Sequence, residues 1–288
     1  MIAIADSGST KSSWVFVDKT NKKFNYKTIG INPYYQSSED IYESFLTELL
    51  PALEFKEKVD VIYFYGAGLE LDKQKQEVAV ALKKAFPESE IHVEHDLLAA
   101  ARAVLGDEEG IACIAGTGSN TCYYDGKDIA RNVHSLGLFL GDEGSGGFLG
   151  KLVARDYIRQ SMPMDIRKKF EQFTPDREEE ILDKVYTKPF PNRYLASLAP
   201  FIIQNQKDKY AHDLAYENFS LLFDNCIMKY ANHEKLKIHF IGSIAAHLVD
   251  ILGEVAEDKG MTLGSVIGNP LDALTEYHFN KTSQHEHH

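Results

Sequence analysis

Apolar residues come in short strand-like runs early in the chain and at helical spacing later. Residues 2–5 (Ile-Ala-Ile-Ala), 13–18 and 23–29 read as three strands, the last two parted by a polar turn at Asn21 and Lys22. The spacing predicts a helix over 38–53, with Ser37 or Ser38 as N-cap. A strand over 59–65 closes on Gly66-Ala67-Gly68, and a helix over 73–85 and a strand over 90–94 follow. His95 and Asp96 open a run of strong helix formers over 97–105. From Gly110 the strand pattern returns over 111–115 and 121–124, with a hairpin at Asp125-Gly126. Beyond Gly150 the pattern predicts helices over 151–162, 175–187, 192–199, 210–233 and 245–259, broken by a buried-type strand at 237–241. Strand–turn–strand followed by alternating helices and strands, given twice, is an α/β pattern with a cleft between two similar lobes. It excludes a helical bundle or a sandwich. The division expected near 106–110 gives an N-terminal α/β lobe over 1–108. A C-terminal α/β lobe with a helical insertion covers 109–288, and its last segment can pack back on the first lobe.

Two glycine–hydroxyl turns lie between strand pairs: Asp6-Ser7-Gly8-Ser9-Thr10-Lys11 and Gly116-Thr117-Gly118-Ser119-Asn120. Glycine lets successive N–H groups converge on one spot, and Ser or Thr adds hydroxyl donors, a chemistry suited to phosphate oxygens. In the first turn Asp6 could hold Mg²⁺ directly or through water, while Ser9, Thr10 and Lys11 meet phosphate. The plainer alternative is a hairpin with a solvated lysine. Asp96, after a strand and at the start of a helix, suits an N-cap; it also suits a general base kept ionised by the helix N-terminus. Gly141-Asp142-Glu143-Gly144-Ser145-Gly146-Gly147 packs two carboxylates between glycines, apt for sugar hydroxyls or a hydrated cation, or for a loop ahead of an N-cap at Ser145. Gly242-Ser243 follows a strand and opens a helix, so its N–H groups could border a nucleotide or merely turn the chain. His92, His134 and His239 lack metal-ligand spacing. Trp14 and residues 63–65 read as strand packing.

Length and charge narrow the partners. At ~150 residues per domain, 288 residues suggest two domains. The net charge is −12, and no lysine–arginine stripe stands out, which argues against nucleic acid. An acidic protein that takes a polyphosphate must neutralise it locally, through oriented N–H groups, a few cations and Mg²⁺. Cys113, Cys122 and Cys226 form no CxxC pair, and the N-terminal residues lack a signal-peptide pattern, so a reduced, cytoplasmic protein is expected. No apolar run approaches the ~20 residues that span a bilayer.

In this order the motifs resemble the BadF/BadG/BcrA/BcrD ATPase family and, within it, the N-acetylglucosamine kinase-like proteins of the actin/hexokinase/Hsp70 fold. The first turn resembles the phosphate-1 motif and the second phosphate-2. Asp96-Leu97-Leu98-Ala99-Ala100-Ala101-Arg102-Ala103 resembles the segment with the catalytic Asp. Leu140 to Gly146 resembles the most specific family signature, Ile241 to Ala245 the adenosine motif, and Asn269 to Tyr277 the closing segment. The resemblance implies two ribonuclease-H-like lobes of the actin-like ATPase fold, with a nucleotide and substrate cleft between them. It implies ATP and Mg²⁺ as cofactors, a sugar as partner, and Asp96 as base for the sugar's 6-hydroxyl. ATP would meet Gly8, Ser9, Thr10, Lys11, Gly116, Thr117, Gly118, Ser119, Gly242 and Ser243. Asn32, Gly68, Asp142 and Glu143 would line the sugar pocket, and Asp6 would serve Mg²⁺. Where these kinases carry Gly-Gly-Trp-Gly, which shapes an acetamido pocket, this chain reads Asn132-Val133-His134-Ser135-Leu136-Gly137, which leaves the sugar open. The alternatives are an ATPase that activates a dehydratase or reductase, and a non-catalytic sugar or nucleotide sensor. A homodimer stays open.

Overall fold

The computed structural model describes residues 1–8, 11–69 and 71–285. The chain divides into two compact units, residues 1–106 with 270–288 and residues 107–269.

In the first unit β1 (Ile2–Ser7), β2 (Lys11–Val17) and β3 (Lys23–Ile29) form an antiparallel meander. β4 (Val61–Gly66) and β5 (Glu90–His95) add in parallel on the other side of β1, giving the order β3-β2-β1-β4-β5. α1 (Ser38–Ser44) and α2 (Asp72–Ala85) lie in the connections to β4 and β5, and α3 (Asp96–Leu105) follows β5 and leads to the second unit. β1 reads as an unbroken apolar run because both of its faces are covered. Ala3 and Ala5 face a cluster with Trp14, Phe64 and the α1–α2 residues Ile41 and Leu82. Ile2 and Ile4 face Val15, Tyr65 and Ala99 on the other side. Trp14 is fully buried, its ring edge-on to Phe45 at 5.7 Å, and its indole N–H donates to Thr28 Oγ1 at 3.1 Å.

The second unit repeats the topology. β6 (Glu109–Ala115), β7 (Ser119–Asp125) and β8 (Ile129–Val133) form the meander, and β9 (Lys237–Ile241) and β10 (Thr262–Ile267) add in parallel beside β6. Between β8 and β9 lie α4 (Gly137–Leu140), α5 (Gly146–Ile158), α6 (Met164–Phe173), α7 (Glu178–Tyr186), α8 (Pro191–Ala196), α9 (Ala199–Gln204) and α10 (Lys209–Asn225). α11 (Ser243–His247) and α12 (Val249–Asp258) join β9 to β10. The chain then returns to the first unit as α13 (Leu271–His285), where Leu271 and Leu274 bury against Ile2, Ile4 and Tyr65. Among the described residues no helix is long and apolar enough to cross a membrane.

The sequence pattern and the elements part in identifiable places. The helix expected over 38–53 is α-helical only to Ser44; it widens to a π turn over Phe45–Leu49 and tightens to a 3₁₀ turn over Leu50–Ala52. Pro51, without an N–H, cannot continue an i→i−4 ladder. The helix expected over 210–233 stops at Asn225. Past it, Tyr230 turns inward so that its hydroxyl pairs with Thr121 Oγ1 at 2.7 Å and accepts from Val133 N at 3.0 Å. The helix expected over 245–259 breaks at buried Leu248 into α11 and α12. The helix expected from 151 starts at Gly146, capped by Ser145 Oγ, which accepts from Phe148 N. α6, β10 and α13 had no clear pattern. β10 has Gly264 in mid-strand, beneath the His239 ring, and its register shifts between Leu263 and Val266.

α5 and α8 approach so closely that a Cβ at Gly150 would lie 1.8 Å from the Leu195 carbonyl oxygen. Gly150→Ala should therefore destabilise the protein by about 3 kcal/mol through overpacking. Chemical denaturation should show a lower midpoint at unchanged slope; an unshifted midpoint would refute this contact.

Candidate functional site

In each unit the middle strands end in register. Ser7 pairs with Gly66, and Gly66 with His95, so the loops after β1, β4 and β5 leave from one edge. In the second unit Ile114 pairs with Ile241, and Ile241 with Ile267, aligning the loops after β6, β9 and β10. Ligands in sheets of this kind bind beyond the carboxyl ends of the strands.

The first unit gathers Asp6, Gly8, Lys11, Asn32, Gly68 and Asp96 along its edge. Asp6 lies next to last in β1; burial pushes its carboxyl up from the usual range, and the Lys11 ammonium partly offsets this. Gly8 N donates to Lys11 O at 3.0 Å, closing the turn. Ser9 and Thr10, expected at phosphate, lie outside the described residues. Asp96 is the first residue of α3 and half-buried, one place beyond the N-cap, which is His95. Asn32 heads a tight turn: its Oδ1 accepts from Tyr34 N at 3.2 Å, and its N–H donates to Gln36 Oε1 at 2.6 Å. Gly68, at φ 76°, sits under Tyr34, where a Cβ would lie 3.0 Å from the ring. Asn32 and Gly68 are therefore neighbours.

One residue that the sequence reading passed over ties these loops together. Ser7 is buried; its Oγ accepts from Ile31 N at 3.3 Å and pairs with Ser12 Oγ at 2.6 Å, and its carbonyl accepts from Ala67 N at 3.0 Å. The β1–β2 turn, the Asn32 loop and the Gly66–Gly68 loop all hang from it. The available signal was a serine that ends a strand opening on four apolar residues.

The second unit draws Gly116, Thr117, Gly118, Ser119, Asp142, Gly242 and Ser243 together. Gly116 N donates to Gly118 O at 3.0 Å, and the first amides of α5 brace the turn, Gly146 N to Gly116 O at 2.8 Å and Gly147 N to Thr117 O at 3.0 Å. The N–H groups of Thr117 and Gly118 make no hydrogen bond among the described residues, and the space beside Gly116 is open. Such a pair of free donors is a fitting cradle for a phosphate oxygen. Gly242, at φ 125°, presses on this turn so tightly that a Cβ would sit 2.3 Å from Ala115 O. Ser243, exposed beside it, opens α11.

Asp142 is held at φ 62°, a left-handed conformation that Asp tolerates better than most residues. It is 7% exposed, and Ser119 N donates to its Oδ1 at a long 3.4 Å. Burial raises its carboxyl's pKa; the Ser119 amide and the Lys151 ammonium oppose this, and Glu143 adds to it. Glu143 is half-buried, its Oε1 accepting from Asn225 Nδ2 at 2.8 Å, so α10 already orients it. Asn218, wholly buried, takes Gly144 N on its Oδ1 at 2.8 Å and gives its amide to Ser145 O at 3.3 Å. It went unnoticed, although an asparagine within the apolar stripe of α10 was a readable signal. Lys151, likewise unnoticed, donates to Leu138 O at 3.1 Å.

A group of three or more His, Cys, Asp or Glu side chains fit for a metal is absent among the described residues. A Mg²⁺ ion here would lean on Asp6, water and phosphate oxygens, as Mg²⁺ at nucleotides commonly does. The half-desolvated Asp6 carboxyl suits that role, because a cation stabilises its ionised form.

Comparisons with known proteins identify the family and the fold. The profile of the BadF/BadG/BcrA/BcrD ATPase family matches residues 5–261. A Porphyromonas gingivalis protein of solved structure, provisionally named an N-acetylglucosamine kinase, is 41% identical, with a TM-score of 0.92 over 98% of this chain and 100% of that one. A Chromobacterium violaceum protein provisionally given the same name aligns at 15% identity and TM-score 0.63, over 96% and 99% of the two chains. A Listeria monocytogenes protein, provisionally an N-acetylmannosamine kinase, aligns at 13% identity and TM-score 0.52, over 98% and 99%. The last two show the fold alone. No curated protein matches the sequence. With one five-stranded topology given twice and a family match over most of its length, the chain belongs to the BadF/BadG/BcrA/BcrD ATPase family and has its α/β, actin-like fold.

Proposed function

We propose that this chain is an ATP-dependent kinase that phosphorylates a hydroxyl of an N-acetylglucosamine-like amino sugar or a related hexose. The observation that carries this reading is the open Gly116–Ser119 turn, whose Thr117 and Gly118 amides lack partners among the described residues, beside a buried carboxylate. The name of the 41% identical relative points to the same acceptor class.

When bound, ATP supplies the phosphoryl group and Mg²⁺ offsets its charge. Gly8, Lys11, Gly116, Thr117, Gly118 and Ser119 are assigned to the phosphates, and Ser9 and Thr10 to the same role. Gly242 and Ser243 are assigned to the nucleoside side, and Asp6 to the metal through water. Asp96 takes the proton of the acceptor hydroxyl as the phosphoryl group leaves; the helix dipole at the first position of α3 favours its ionised form. Asn32, its Nδ2 without a partner among the described residues, offers a donor to the sugar beside Gly68. Asp142 offers an acceptor to a sugar hydroxyl, and Glu143, already held by Asn225, supports the loop. The cysteines favour a kinase over an electron-transferring activator. All three are buried, and burial pushes the Cys122 thiol up to about 12 and the Cys226 thiol up to about 11, so neither is poised as a thiolate ligand.

A coupled ADP-release assay over N-acetylglucosamine, N-acetylmannosamine, glucosamine and glucose, with a no-sugar control, tests the reading. Release that depends on one of the sugars is expected; equal release without sugar would overturn it. In that assay Asp96→Asn should lose about 10²–10⁴ of kcat while calorimetry shows ATP binding retained. Near-normal turnover would remove Asp96 from the role of base.

Asp142→Asn separates stability from function. The folded pKa of Asp142 is raised, so its contribution to stability is present at low pH and lost as pH rises through that value. The variant should thus melt higher than wild type at neutral pH, the gain shrinking as pH falls, while its KM for sugar rises. A lower melting temperature at pH 7 would contradict the desolvation argument.

A further inference from the structure

One long face of α5 carries Phe148, Lys151, Leu152, Arg155, Ile158 and Arg159 at helical spacing. With α7, α8 and α4 it lines a half-open cavity of about 500 Å³, within the range of small-molecule sites. Leu138, Ile181, Val185 and Leu195 supply apolar walls. The charge is one-sided: three cations line this cavity and no carboxylate does. In a chain of 43 acidic and 31 basic residues that bias is the reverse of expectation.

The three cations differ in their partners. Arg155 is satisfied by Asp156, Nε to Oδ1 at 2.8 Å. Arg159 is exposed and pairs with no carboxylate among the described residues. Lys151 is half-buried; among the described residues its ammonium meets the Leu138 carbonyl, at 3.1 Å, and the Phe148 ring, 4.2 Å from the centroid. Asp142 and Glu143 attract it without forming an ion pair, and burial still pushes its pKa down. A partly desolvated cation whose nearest carboxylates stand beyond ion-pair distance is incompletely compensated, and an anion placed beside it reduces that cost.

We propose that this cavity binds a small amphipathic anion, a carboxylate on an aliphatic or aromatic body. The carboxylate meets Lys151, Arg159 adds a second positive charge two turns further along α5, and the body lies against Ile181, Val185 and Leu195. Because Lys151 also holds Leu138 O in α4, whose C-cap is Gly141, occupancy reaches the Asp142 loop through one hydrogen bond. The proposal is independent of the kinase reading.

Calorimetric titration of the full chain with octanoate, octylamine and octan-1-ol tests it, with sedimentation velocity on the same samples. Octanoate should bind about tenfold more tightly than the alcohol, as expected for a charge-assisted contact, and the amine should not bind. Lys151→Met should weaken octanoate about tenfold and Arg159→Gln, at an exposed position that leaves folding intact, about threefold. Val185→Trp, which fills the cavity, should abolish binding. The proposal fails if octylamine binds as tightly as octanoate, or if both Arg159→Gln and Val185→Trp keep wild-type affinity. It also fails if the chain sediments as a dimer that Tyr186→Asp dissociates and that takes up no octanoate, since a second copy would then cover this face.

Discussion

The whole candidate site depends on the register of the parallel strands. β1 and β6 each pair antiparallel on one side and parallel on the other. The parallel ladders bring the carboxyl ends of three strands to a common edge in each sheet. Neighbouring strands lie about 4.8 Å apart, so three loops emerge within roughly 10 Å of one another. A slip of one residue in β1 would turn Ala3 and Ala5 toward the Tyr65 face and Ile2 and Ile4 toward Trp14, and would move Asp6 off the edge. Large apolar residues on both faces thus hold a polar edge in place.

That edge is built at a cost the core can bear. Asp142 and Asp6 are carboxylates in poorly hydrated settings. Asp142 also holds a left-handed backbone between glycines, with Gly144 pressed so near Leu222 that a Cβ would be 2.5 Å from Cδ2. Strain and desolvation of this kind persist only when the surroundings over-determine the conformation. Here Asn218 and Asn225 of α10 and the Ser145 cap of α5 do so. The same buried hydrogen bonds that rigidify the loop keep its carboxylates aimed.

Much of this was legible in the residues. The meander at 2–29, the strand pair at 109–125 with its hairpin turn, the strand at 237–241 and the helix opened by Asp96 follow from local apolar period and turn chemistry, and the elements arrive within a few residues of expectation. The motif turns were legible because glycine and hydroxyl residues are rare in apolar strands. What stayed hidden depended on partners far along the chain. The break after Asn225 exists because Tyr230 meets Thr121 and Val133, about a hundred residues earlier. β10, interrupted by Gly264, is a strand only because β9 offers it a ladder. Ser7, Asn218 and Lys151 look like ordinary polar residues until the loops that they hold are brought to them.

By itself the sequence determined the α/β class, the repeated strand–turn–strand unit, and the glycine-flanked residues able to carry phosphate and sugar chemistry. Those properties are local: they rest on side-chain period, on glycine's backbone freedom, and on carboxylate and hydroxyl chemistry. Tertiary structure alone decided that Asn32 and Gly68 are neighbours, that Asp142 points at the Gly116 turn and not at solvent, and that Lys151 and Arg159 line one cavity with no carboxylate among its walls. These are pairings between distant segments, fixed by which apolar surfaces exclude water together, and one-dimensional spacing does not carry that information.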